Sequence, residues 1–293
     1  MFPLALFDDQ GHPRVTTKSV LLRVLEKMNS AVPTDSQTPP SSRVLILDGM
    51  AILQQHPVSG SASFKELVGS ILRRVPLMVA DYGELHLVFD RYDIGASLKD
   101  KTREQRARRG GYDMDIQAET RIKTGMTMAH ILSIKSNKND MISLIASQTQ
   151  NFSWRLGLRV VCAWSDKIIT FGQTSGAKFA SQQEEADTKM IYHLSLLEKD
   201  IETTVVSPDT DVLVLLLQHF SSIPTNTFLQ LRKTTFNIHL IHDKLGPHAA
   251  VITSFHALTG CDTTCAFYRQ GLCFRRPTRK LYELWVHFET LVR

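Results

Sequence analysis

The stretch Thr203–Leu217, TTVVSPDTDVLVLLL, places two aspartates, Asp209 and Asp211, one residue apart in an otherwise apolar run. Such a run forms a buried strand, and charge inside it is costly unless it is paired or hydrogen-bonded. The pair therefore marks where the strand stops and a different environment begins, with the core resuming from Leu213. Two other stretches share the design. Arg43–Gln54, RVLILDGMAILQ, is a short apolar run ending in Asp48-Gly49, which predicts a buried parallel strand and a turn. Gly83–Asp90, GELHLVFD, predicts another buried strand ending in an acid.

Around these strands the pattern alternates. Residues 64–80, FKELVGSILRRVPLMVA, predict a helix, and residues 112–157 predict helix with weak patterning. Leu158–Trp164 is strand-like. Ser181–Lys199 predicts a helix, with Ser181 and Glu184 as an S-x-x-E capping box and Ala186, Met190, Leu194 and Leu197 on one face. Residues 228–242, FLQLRKTTFNIHLIH, alternate like a hairpin, and residues 247–260 predict a helix leading into GCDTT. Near the start, KSVLLRVLEKMNS repeats apolar residues at helical spacing and is followed by a Pro/Ser/Thr-rich linker at residues 31–42. Strands alternating with helices give an α/β class, a three-layer α/β/α arrangement with a mainly parallel central sheet. The expected organisation is an N-terminal extension over 1–42, the main domain over 43–270 with a basic helical insert at 99–157, and a basic tail over 271–293.

Of the 293 residues, 43% are hydrophobic, ample for one large core. The net charge of +5 and pI of about 9.0 suit an anionic partner without requiring one. Cys162, Cys261, Cys265 and Cys273 are too few for a disulfide scaffold, and the last three lack the second close pair of a zinc site. They are expected as free thiols. No run reaches the roughly 18–20 apolar residues of a membrane span, and the first residues lack the basic start of a secretory signal. A soluble protein inside the cell, in nucleus or cytoplasm and without a membrane partner, is expected.

In a parallel sheet, ligands bind at the carboxyl ends of the strands. Asp48, Asp90 and Asp209 each end a predicted strand, and Asp211 follows two residues later. Glu185 and Asp187 sit in a predicted first helical turn, where the helix dipole favours negative charge. Asp262 ends the ALTGCD segment. Seven carboxylates at one edge repel unless cations neutralise them, and hard oxygen donors select Mg²⁺ or Mn²⁺. Two such ions about 4 Å apart can activate water and stabilise the leaving oxygen of a phosphoryl displacement. The competing reading is that each acid separately caps a turn or helix.

Five motifs in order, LILDGMAIL, LVFDRYD, EEADTKMIY, VVSPDTDVLVL and LTGCDTT, resemble the acidic motifs of the flap-endonuclease and 5′-nuclease branch of the PIN-domain superfamily. The likeness runs from about residue 43 to 270. Strings similar to EEADTK, SPDTDVL and ALTGCDTT also occur in multi-copy, transposon-like animal genes. The resemblance implies a two-metal phosphodiesterase acting on nucleic acid, with DNA preferred over RNA as the expected partner. It places Asp48, Asp90, Glu185 and Asp187 nearest one ion and Asp209, Asp211 and Asp262 nearest the other.

The resemblance also implies a Lys and an Arg seven residues apart after the second-strand acid, a separation matched by Lys99 and Arg106. Lys101, Arg103, Arg108 and Arg109 share that basic segment, and Arg275 and Arg276 lie in the tail. All are candidate phosphate contacts. Forty-two unrelated residues stand before the first strand in place of the family's glycine-rich start, and TTCAFYRQGLCFRRPTRK after Asp262 keeps glycine and basic residues but is short beside the family's duplex-gripping helices. Two other functions compete. DTDVL matches the signature of haloacid-dehalogenase-like phosphatases, with Asp209 as nucleophile and Asp211 as general acid, although it falls late in the chain. The third is a PIN-like nucleic-acid-binding or scaffold module without turnover. His86, His193 and His256 are expected as packed core or edge histidines, and Trp154, Trp164 and Trp285 as packing residues.

Overall fold

In the computed structural model, which describes residues 19–29, 38–93, 113–172 and 176–259, Arg43–Asp48 forms strand β1 near the centre of a seven-stranded sheet. Strands β2 (Glu84–Val88) and β5 (Glu202–Val206) flank β1, both parallel to it. Outside β2 lie β3 (Arg159–Trp164), parallel, and β4 (Lys167–Phe171), antiparallel. Outside β5 lie β6 (Thr227–Leu231), parallel, and β7 (Thr234–Asn237), antiparallel. The order is β4-β3-β2-β1-β5-β6-β7, a mainly parallel sheet closed at both edges by hairpin strands.

The period of two along β1 builds the three layers. Leu45 and Leu47 point into one core, with Leu85, Leu87, Val160 and Cys162 of the neighbouring strands. That layer is covered by helices α2 (Gly49–Gln55), α3 (Phe64–Leu72), α4 (Val75–Met78), α5 (Met128–Ile131) and α6 (Lys135–Asn151). Val44 and Ile46 point into the other core, with Val88, Val205 and Leu229. It is covered by α1 (Ser19–Met28), α7 (Ala186–Ser195), α8 (Thr210–Gln218), α9 (Ile238–Leu245) and α10 (Ile252–Thr259). Helix α1, which precedes the predicted linker, is part of this second core through Leu21, Leu22 and Leu25, and Lys244 Nζ of α9 donates to Met28 O.

Several local expectations change. The helix expected over 64–80 breaks at Arg73-Arg74, because Pro76 sits in the first turn of α4 and has no N–H to continue the α3 ladder. No helix forms over 113–127; helix is confined to α5 and α6 within that region. The alternating run 228–242 is a hairpin only to Asn237, whose side chain accepts the Leu240 N–H and starts α9. Helix α7 starts at Ala186 with Glu185 as N-cap, so Ser181 and Glu184 form no capping box. Ser181 Oγ instead accepts from Gln183 N, and Glu184 O accepts from Arg91 N. Strand β4 was not anticipated. It follows a tight turn in which Ser165 adopts φ 51°, a conformation usually signalled by Gly or Asn.

Candidate active site

The chain leaves β1 toward β2 on one side, and leaves β5 toward β6 on the other. Such a reversal, outside the carboxyl ends of β1 and β5, is where open α/β sheets place ligands. Asp48 is the last residue of β1 and the N-cap of α2: its Oδ1 accepts from Met50 N at 2.9 Å and Ala51 N at 3.1 Å. Its Oδ2 accepts from Ser207 Oγ, just past β5, at 3.4 Å. The expected turn after Asp48 is thus a helix start, with the strand acid as its cap.

Asp90 lies two residues beyond β2. Its Oδ1 accepts from Ala186 N, the first N–H of α7, at 2.7 Å, and its Oδ2 accepts from Tyr92 Oη at 2.7 Å. This brings Asp90 against the helix end that carries Glu185 as N-cap and Asp187 in the first turn. Asp209 caps α8, accepting from Asp211 N at 3.0 Å, while its own N–H donates to Ser207 Oγ at 3.3 Å. Asp211 Oδ1 accepts from His256 Nε2 of α10 at 2.9 Å. Asp48, Asp90, Glu185, Asp187, Asp209 and Asp211 therefore all lie where a strand ends or a helix begins. Asp262, Lys99, Lys101, Arg103, Arg106, Arg108, Arg109, Arg275 and Arg276 lie outside the described residues.

Electrostatics single out Asp48. Burial pushes its carboxyl up to about 6, and the charge of Asp90 adds to the rise, against the lowering effect of the Ala51 and Met50 amides. Lys189, one turn into α7, is almost fully buried and ties Phe89 O at 3.2 Å to Ser165 O at 2.8 Å. Burial lowers its ammonium to about 8, with the carboxylate of Asp90 opposing the shift. Lys138 Nζ of α6 stands 5.0 Å from the centre of the Tyr92 ring, whose hydroxyl holds Asp90.

Three supporting residues were not picked out from the sequence: Ser207, Tyr92 and Lys189; His256, expected as a packed core or edge histidine, is buried and also bonds Asp211. Ser207 and Tyr92 sit inside the motifs SPDTD and FDRYD, so their proximity to the acids was a usable signal. Lys189 and His256 join the site only through tertiary contacts.

The hard-oxygen donor set suits Mg²⁺ or Mn²⁺ chemically. Among the described residues, however, no group of three or more His, Cys, Asp or Glu side chains converges to hold an ion. Asp48, Asp90 and Asp209 each direct an oxygen at a backbone N–H. No protein-family model matches the chain, and no curated protein sequence does either. Among the described residues, no helix is long and apolar enough to cross a membrane.

Proposed function

We propose that the protein is a Mg²⁺- or Mn²⁺-dependent nuclease that hydrolyses phosphodiester bonds in DNA, or secondarily RNA, on a PIN-like fold. The observation that carries this reading is the reversal of strand order between β1 and β5. Adjacent parallel strands deliver Asp48, Asp90 and Asp209 there, and burial with a neighbouring carboxylate raises Asp48 to about 6. A carboxylate held against its own ionisation is one that a divalent cation stabilises. The ions would supply an activated water and charge neutralisation at the leaving oxygen. In this reading Asp48, Asp90, Glu185, Asp187, Asp209 and Asp211 hold the cations, with Asp262 as a seventh donor. Lys189 fixes the segment that presents Asp90, and Ser207 links Asp48 to the Asp209 turn. Lys99, Arg106 and the other basic residues of their segment, with Arg275 and Arg276, would contact phosphate.

A second reading is favoured by the carboxylate hydrogen bonds. Acids already satisfied by helix N-termini suit a nucleic-acid-binding or scaffold module without turnover. One panel separates the two: labelled flap, single-stranded and hairpin DNA and RNA, with Mg²⁺, Mn²⁺ or chelator, for the wild type, Asp48→Asn and Asp209→Asn. Metal-dependent cleavage lost in both variants supports the nuclease. Binding without cleavage on every substrate supports the module. Hydrolysis of a small phosphomonoester that survives Asp48→Asn instead points to a phosphatase using Asp209 and Asp211.

A further inference from the structure

The amino-terminal edge of the sheet, opposite the edge where Asp48 ends β1, carries a groove of about 770 Å³. That volume falls within the roughly 300–1,000 Å³ of small-molecule sites. Its wall follows the strand order. Arg159 opens β3, Glu84 opens β2, Ser42 immediately precedes β1, and Ile201 immediately precedes β5. The groove therefore crosses the starts of four adjacent parallel strands, a span of three inter-strand spacings or about 14 Å. Phe179, Leu196 and Leu197 supply apolar wall along it.

The charges are sorted along this span. At the β3 end, Arg159 Nε donates to Glu84 Oε2 at 2.9 Å, and Glu84 Oε1 meets His86 Nε2 at 2.9 Å. Glu84 is buried with both oxygens engaged, so it fixes the guanidinium from behind. Among the described residues, none accepts from the two terminal amino groups of Arg159, the end-on pair that grips a carboxylate through parallel N–H bonds. At the β5 end, Glu198 and Asp200 line the groove with exposed side chains. Lys199 between them donates instead to Ser221 O and Ile223 O. Lys178, the other cation of the wall, reaches Leu196 O at 3.5 Å and stands 4.9 Å from the centre of the Phe179 ring.

We propose that this groove binds a short zwitterionic peptide, with its carboxylate on Arg159, its ammonium on Glu198 and Asp200, and apolar side chains against Phe179, Leu196 and Leu197. A lone anion or a lone cation would leave the charge at one end unanswered. An extended peptide advances about 3.4 Å per residue, so about four residues bridge the two ends. The site lies at the other edge of the sheet from the proposed cation ligands and does not depend on them.

The test is calorimetric titration of the full chain with tetraalanine, free, acetylated at its amino end, or amidated at its carboxyl end. Each cap is expected to weaken binding to the wild type about 10-fold, the loss of a hydrogen-bonded charged group. Glu198→Gln combined with Asp200→Asn changes two exposed side chains, and its melting temperature should match the wild type. It is expected to weaken free tetraalanine by the same factor and to erase the difference between the free and acetylated peptides. The difference between free and amidated peptides should remain. Equal binding of free and capped peptides by the wild type would overturn the proposal. So would an acetylation effect that persists in the double variant, or the absence of saturable binding at millimolar peptide.

Discussion

The Oδ1 atom of Asp90 accepts the backbone N–H of Ala186 at 2.7 Å, joining two residues 96 positions apart. Through this bond the end of β2 receives the amino terminus of α7, and Asp90 supplies from a distance the cap that Glu185, the local N-cap residue, does not make. Asp90→Ala should therefore destabilise the fold by about 1–2 kcal/mol, the usual cost of losing a helix cap. Asp90→Asn keeps an acceptor and should cost less than half as much. Urea denaturation of the two variants measures the difference, and equal losses would deny the cap its role.

Asp48 makes stability pH-dependent in the cation-free protein. Its folded-state carboxyl titrates near 6 rather than 3.8, so the folded protein retains a proton the unfolded chain has released. The associated stability is fully present below about 4 and is lost as the pH rises through 6, amounting to about 3 kcal/mol at full ionisation. Asp48→Asn should therefore be more stable than the wild type at pH 7.5 and close to it at pH 4. Melting curves at both pH values test this. By the same argument Mg²⁺ should raise the wild-type melting temperature at pH 7.5 and have little effect at pH 5.

A buried pair between β2 and α7 shifts stability in the opposite direction. His86 Nδ1 of β2 and His193 Nδ1 of α7 lie 2.8 Å apart, and His86 Nε2 bonds Glu84 Oε1 at 2.9 Å. Burial holds His193 well below its ordinary 6.5, with His86 and the Lys189 ammonium reinforcing the shift. The unfolded chain takes up this proton first, so the contribution present above 6.5 is lost as the pH falls below that value. In the Asp48→Asn background, which removes the opposing carboxyl, stability should decline from pH 7 to 5. Adding His193→Gln should flatten that decline. An unchanged slope would remove His193 as its source.

Lys189 and Gly49 test the scaffold beneath the acids. Lys189→Met keeps the length of the side chain but leaves Phe89 O and Ser165 O without their donor. The expected loss is about 2–4 kcal/mol, from two buried acceptors left unpaired. Gly49 is the first residue of α2, and a Cβ there would fall within the buried Phe89 ring. Gly49→Ala should cost about 1–3 kcal/mol by overpacking and should disturb the segment that carries Asp90. Chemical denaturation of both, with near-ultraviolet circular dichroism for Gly49→Ala, provides the check.

The sequence was most informative where the sheet is covered on both faces and aliphatic residues dominate its central strands. The apolar runs of β1, β2 and β5 announce themselves, and the first charge after each marks its end. That is why the class and the positions of Asp48, Asp90 and Asp209 were legible. Strand β4 was not, because its turn relies on Ser165 at positive φ rather than on glycine. The start of α7 was misplaced because S-x-x-E at Ser181 and Glu184 competes with a cap that Asp90 delivers from another part of the chain. The His86–His193 and Asp211–His256 contacts are long-range and leave no local pattern. The hydrogen bonds that Asp48, Asp90 and Asp209 make to backbone N–H groups match the competing reading, in which each acid caps a turn or helix.

The central claim is that these carboxylates form a divalent-cation site for phosphodiester hydrolysis. It is tested most directly by cleavage of labelled flap and single-stranded DNA with Mn²⁺, comparing the wild type with Asp209→Asn at equal folded concentration. The account predicts products only with metal and only from the wild type, a loss in the variant of at least about 100-fold, as for removal of an interaction made in the transition state. Equal rates for the two proteins, or no metal-dependent cleavage by a wild type that still binds DNA, would contradict it.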